Sequence, residues 1–155
     1  MNWRKIDEAW RKFAESHSRE LHLSDKPYLS GARINYLIKF ADELGTTIYS
    51  GLINKSTSGY NLYKMNVETR TNYITRFQEK VVKRKNRFAW IFGSSSSSRD
   101  TLTQTIEQGL DHINAVKIIT SPKMLRMEFD TMPTDERDLE LIEEKRIELI
   151  REASK

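Results

Sequence analysis

The chain has 155 residues, no cysteine, and 26 lysines and arginines against 22 aspartates and glutamates, for a net charge of +4. That length fits a single domain, 1–155, that can bury a real core without metals or disulfides. Without cysteine there is no disulfide framework, thiolate metal site or cysteine nucleophile, a composition that suits a reducing compartment. The opening MNWRKIDEAWRKF lacks a signal peptide's apolar core, and no stretch approaches the roughly 18 apolar residues that span a bilayer, so a cytoplasmic protein is expected.

Residues 2–23 predict an amphipathic helix, since Trp3, Ile6, Trp10 and Phe13 recur at steps of three and four and Leu21 continues the stripe. Asn2 can cap its start, and Pro27 bars continuation. From Arg33 to Phe40 two templates compete. Alternation of Ile34, Tyr36, Ile38 and Phe40 argues strand, whereas Ile34, Leu37, Ile38, Ala41 and Leu44 followed by Gly45 would satisfy a helix. Strand is preferred, because the β-branched run at 46–54 needs a partner. Lys55 to Gly59 reads as a turn.

From Tyr63 to Phe77 the odd positions are apolar or strand-forming, and the even ones are polar except Ile74. Period two puts one row on a core and the other in water, which places an antiparallel sheet at the centre of the molecule. Drawn straight, that segment would span about 50 Å. A domain of this size is only about 40 Å across, so the strand must bend or break near Thr71 to Tyr73. Residues 83–86 predict a turn and 87–92 a short apolar strand, followed by a serine-rich flexible loop at 93–98. A helix is expected from Arg99 to Asn114, strands at 116–120 and 124–130, and a last helix opened by Pro133 and Thr134. Its inner stripe is Leu139, Ile142, Leu149 and Ile150. The expected fold is α+β: a curved, mainly antiparallel β-meander with an N-terminal amphipathic helix and two further helices packed on it.

Charge is unevenly spread. Residues 128–155 carry ten acids and five bases, leaving +9 elsewhere, and Lys80 to Arg99 holds six bases and no acid. Lys80, Lys83, Arg84, Lys85 and Arg87, beside Trp90, form a basic aromatic edge suited to an anionic partner. An acidic protein surface, a nucleic acid and an anionic membrane would all answer to it, and so would a solvated hairpin tip. The junction with Ser94, Ser95, Ser96 and Arg99 could hold an anion at a helix start, but only Gly93 is present and the glycine spacing of a phosphate loop is missing. His17, His22 and His112 have no metal-ligand spacing, and Glu128 and Asp130 lack a basic or histidine partner. No metal or cofactor is implied, and no nucleophile motif is present.

Packing residues without a chemical constellation predict a non-catalytic binding or regulatory domain that takes a protein partner at its basic edge. A small-molecule or enzymatic pocket inside the cupped sheet, lined by Trp10, Tyr63, Tyr73 and Phe77, is the alternative. Electrostatic binding to nucleic acid or an anionic membrane surface is the third.

Overall fold

The computed structural model describes residues 2–28, 31–59, 61–75, 81–82 and 101–155. Their elements run α1 (Trp3–Ser16), β1 (Leu21–Tyr28), β2 (Gly31–Asp42), β3 (Gly45–Ser56), β4 (Leu62–Arg70), β5 (Val81–Val82), α2 (Thr101–His112), β6 (Lys117–Ser121), β7 (Met124–Phe129) and α3 (Glu136–Ala153). Six strands and the two-residue β5 form one open antiparallel sheet in the order β1-β2-β3-β4-β7-β6-β5. The fold is α+β, as the alternating middle segment requires.

Alternation decides which face is covered. Tyr36 and Ile38 of β2, Thr47, Tyr49 and Ile53 of β3, Met65, Val67 and Thr69 of β4, and Leu125 and Met127 of β7 are all buried. Their neighbours in sequence are only half-buried or exposed. The helices bury their apolar stripes on that inner row. α1 contributes Ile6, Trp10 and Phe13, α2 Leu102, Ile106 and Leu110, and α3 Leu139, Ile142, Leu149 and Ile150. Trp10 packs on Tyr36 with ring centroids 5.5 Å apart and lies over Gly51, where a Cβ would sit only 3.0 Å from its ring. A glycine in mid-strand here makes room for an indole.

Local chemistry ends the elements where packing needs them to end. The Asn2 side chain accepts from the Arg4 N–H at 3.0 Å, capping α1. That helix stops at Ser16, because Ser18 adopts φ 52° and turns the chain into β1. The helix expected over 2–23 therefore runs too far. Leu21 continues its spacing but belongs to a strand, and Pro27 sits in an edge strand, where a missing N–H is tolerated. Trp3 is also displaced from its expected place in the core, being 42% exposed.

The ambiguous segment at 33–44 is strand, and a tight turn joins β2 to β3. Asp42 accepts from the Leu44 N–H at 2.9 Å in that turn. Gly45 follows at φ 132°, and a side chain there would drive into the Arg70 carbonyl of β4. β4 ends at Arg70, the bend anticipated near Thr71. Asp135, rather than Pro133 or Thr134, caps α3 by accepting from the Arg137 N–H at 2.9 Å, with Glu136 and Asp138 on its positive end.

Candidate functional site

The densest polar cluster lies beneath α3, on the covered face of the sheet. The inner stripe of α3 has helical spacing through 139, 142, 143, 146, 149 and 150, so two of its six positions are the charged Glu143 and Arg146. Arg146 is fully buried. Its guanidinium donates to both Glu143 oxygens, Nε to Oε2 at 3.1 Å and Nη2 to Oε1 at 2.9 Å. Nη2 also reaches Asp42 Oδ2 at 2.9 Å, and Nη1 reaches Thr47 Oγ1 at 3.0 Å and Thr69 Oγ1 at 3.4 Å. From the other side Arg19 Nη2 donates to Glu143 Oε1 at 2.9 Å, and the Tyr49 hydroxyl donates to Oε2. Phe40 lies beneath both cations, with the Arg19 guanidinium 3.3 Å and the Arg146 guanidinium 5.3 Å from its ring centroid.

Two arginines and two carboxylates balance, and this sets the titration. Burial alone would push the Glu143 carboxyl up, but hydrogen bonds from Arg146, Tyr49 and Arg19 outweigh it and hold the group at about 2. Burial, reinforced by the neighbouring Glu143 charge, pushes the Tyr49 phenol well above its ordinary value. At neutral pH the carboxylate stays ionised and the phenol protonated. Neither is poised for proton transfer near pH 7. The cluster is a clasp that ties α3 and the exit of α1 to β2, β3 and β4.

The clasp makes stability depend on acid. Glu143 falls from 4.5 to about 2 on folding, so its contribution is present above pH 5 and is lost as pH drops through the folded value. At about 1.4 kcal/mol per pH unit this amounts to about 3 kcal/mol. Urea unfolding followed between pH 6 and pH 2, as about five steps of pH, should show that loss in the parent and a flatter dependence in Glu143→Gln. Equal slopes would remove Glu143 as the cause.

Two concavities adjoin this region. Asp42, Gly45, Arg70, Asn72, Tyr73 and Lys123 line an open groove of about 750 Å³ at one end of the sheet. His112, Phe129, Met132, Asp138 and Leu141 line a smaller hollow of about 190 Å³, floored by apolar side chains, between α2, β7 and α3. Among the residues expected to line a pocket, Trp10 is locked in the core, Tyr63 is half-buried against it and Tyr73 is 56% exposed on the groove wall. Trp10 sits over Gly51 and Tyr73 follows the end of β4, so the structure sets these two apart along the sheet. Phe77 lies outside the described residues, as do the basic edge Lys80, Lys83, Arg84, Lys85, Arg87 and Trp90, the anion-loop residues Ser94, Ser95, Ser96 and Arg99, and the strand expected at 87–92.

His17 is hydrogen-bonded to Glu140 at 2.8 Å, and Glu128 faces Lys117 and Arg126 on the open face. Among the described residues no group of three or more histidines and carboxylates could hold a metal ion, and no helix is long and apolar enough to cross a membrane. Comparisons with protein-family models, curated proteins and solved structures give no match to this chain.

Proposed function

We propose that the chain is a non-catalytic binding domain whose partner is a protein with an acidic segment, taken at the sheet edge that β5 occupies. One observation carries the reading. Among the described residues Val81–Val82 forms the last strand of the sheet, paired there with β6, and Lys83, Arg84 and Lys85 follow it directly in the sequence. A short terminal strand offers backbone donors and acceptors to an extended peptide, and adjacent cations favour an acidic one. The internally neutralised clasp under α3 agrees with a scaffold role, since its charges are spent on one another. Stacked nucleic-acid bases are less well served. The outer row of the sheet over β2, β3, β4, β6 and β7 carries no aromatic side chain among the described residues.

Crosslinking capture from a native extract, read by mass spectrometry, tests the reading with the triple variant Lys83→Glu, Arg84→Glu and Lys85→Glu. The variant should keep the parent's urea midpoint and lose the captured acidic protein. Undiminished capture would remove the proposal.

A further inference from the structure

The outer face of the sheet breaks a rule of strand pairing near the β1–β2 turn. Lys26 and Arg33 stand directly opposite each other on β1 and β2. Like charges in that position repel and destabilise the pair. Both are exposed, and neither forms an ion pair with an acid among the described residues. The adjacent acid, Asp25, pairs with Ile34 on the opposite face and does not relieve them. The same cross-strand row continues through Asn54 to Leu62, which is 45% exposed, and the next row ends in Lys64, another exposed cation without an acid partner there.

The helix-covered side of this end repeats the chemistry. Trp3, 42% exposed, has Lys55 Nζ 4.4 Å and the Arg4 guanidinium 5.9 Å from its ring. Lys55 neighbours Asn54, so Trp3 and Leu62 flank the end of β3 from its two faces. One end of the domain thus carries five cations and two exposed large apolar side chains, spread over both sides of the sheet. A flat protein or a nucleic-acid duplex meets one side of such an end. A medium into which the end can dip meets both.

From this placement we infer that the β1–β4 end is a docking site for an anionic lipid bilayer surface. Lys26, Arg33, Lys64, Lys55 and Arg4 lie among the headgroups, and Trp3 and Leu62 enter the interface. Basic side chains are drawn to anionic leaflets, and tryptophan favours the headgroup level. The bilayer supplies the negative charge that the Lys26–Arg33 pair lacks among the described residues. These residues are separate from the β5 edge, so the inference stands independently of the proposed protein partner.

The test is sedimentation with phosphatidylcholine vesicles, with and without phosphatidylglycerol, at low and high salt. The full chain should bind only the anionic vesicles and be released by salt. Lys26→Glu, Arg33→Glu and Lys64→Glu together should weaken binding on the order of 100-fold. Trp3→Ala with Leu62→Ser should weaken it about 10-fold. Thermal unfolding checks that both variants stay folded. Lack of binding to anionic vesicles at low salt overturns the inference. So does binding that survives both variants but fails on reversal at Lys83, Arg84 and Lys85, an outcome that leaves the protein-partner proposal open to its own assay. Tight binding of a single-stranded oligonucleotide that needs Lys26 and Arg33 but ignores Trp3 and Leu62, with weaker binding to vesicles, would assign the surface to nucleic acid instead.

Discussion

Replacing Arg146 with methionine should lower folding stability by about 3–5 kcal/mol, the usual penalty for leaving a buried charge without its partner. Methionine keeps much of the stem's volume, so the loss reports the guanidinium rather than a cavity. Glu143 would retain Arg19 and Tyr49 but lose its bidentate partner, and Asp42 would lose the cation that joins the β2–β3 turn to α3. Lysine at 146 should recover only part of the loss, because a point charge cannot serve Glu143, Asp42 and the two threonines together. Adding Glu143→Gln to Arg146→Met should cost less than the sum of the single changes, with a coupling of about 0.5–3 kcal/mol. Urea unfolding measures the parent and the four variants. A loss below about 1 kcal/mol in Arg146→Met would contradict a desolvated clasp.

Trp10→Ala should cost about 3–5 kcal/mol through the cavity it leaves. Trp10 is fully buried, packed at a tilt against Tyr36 and seated over Gly51 beside the Met132 side chain. Gly51 has no side chain that could move into the space, and Tyr36 is tied at its hydroxyl to Asp7 at 3.5 Å. Collapse around the gap is therefore limited. The indole N–H has no hydrogen-bond partner among the described residues, so Trp10→Phe should lose little beyond volume, about 1 kcal/mol. Thermal and urea unfolding distinguish the two variants, and a mild alanine effect would mean that α1 is not seated as described.

The sheet was legible because its signal is redundant. Met65, Val67 and Thr69 face inward while Lys64, Glu68 and Arg70 face out, and that period has no helical alternative. At 33–44 the apolar spacing suited helix and strand alike. The pairing of Tyr36 with Gly51 and Ile38 with Tyr49 resolves it, a long-range fact that no local window holds. The helix end at Ser16 is hidden in the sequence for a related reason. Leu21 extends the α1 stripe by coincidence, while the break comes from the backbone of Ser18.

The clasp was less visible. The apolar spacing marks Leu139, Ile142, Leu149 and Ile150 as the inner stripe but does not bring in Glu143 and Arg146, because charged residues are seldom fully buried. Their positions offered the one available signal, a Glu and an Arg three apart inside an apolar stripe. Asp42, Tyr49 and Arg19 had none, since they join the cluster across more than ninety positions of sequence. The Lys26–Arg33 opposition was likewise hidden, because it exists only once the register of β1 on β2 is known.

The distance spanned by the clasp shapes how the molecule is made. Asp42 and Arg146 are 104 positions apart, so the strands that the clasp secures leave the ribosome well before the helix that closes over them. At about 5–20 residues per second, several seconds separate the emergence of β4 from that of Arg146. During that interval Thr47, Tyr49 and Thr69 still wait for their hydrogen-bond partners on α3, and Asp42 has no counter-ion from it. Synthesis thus passes through a half-roofed sheet: α1 is already at hand for Tyr36 and Tyr49, while the polar groups that meet α3 stay open to water.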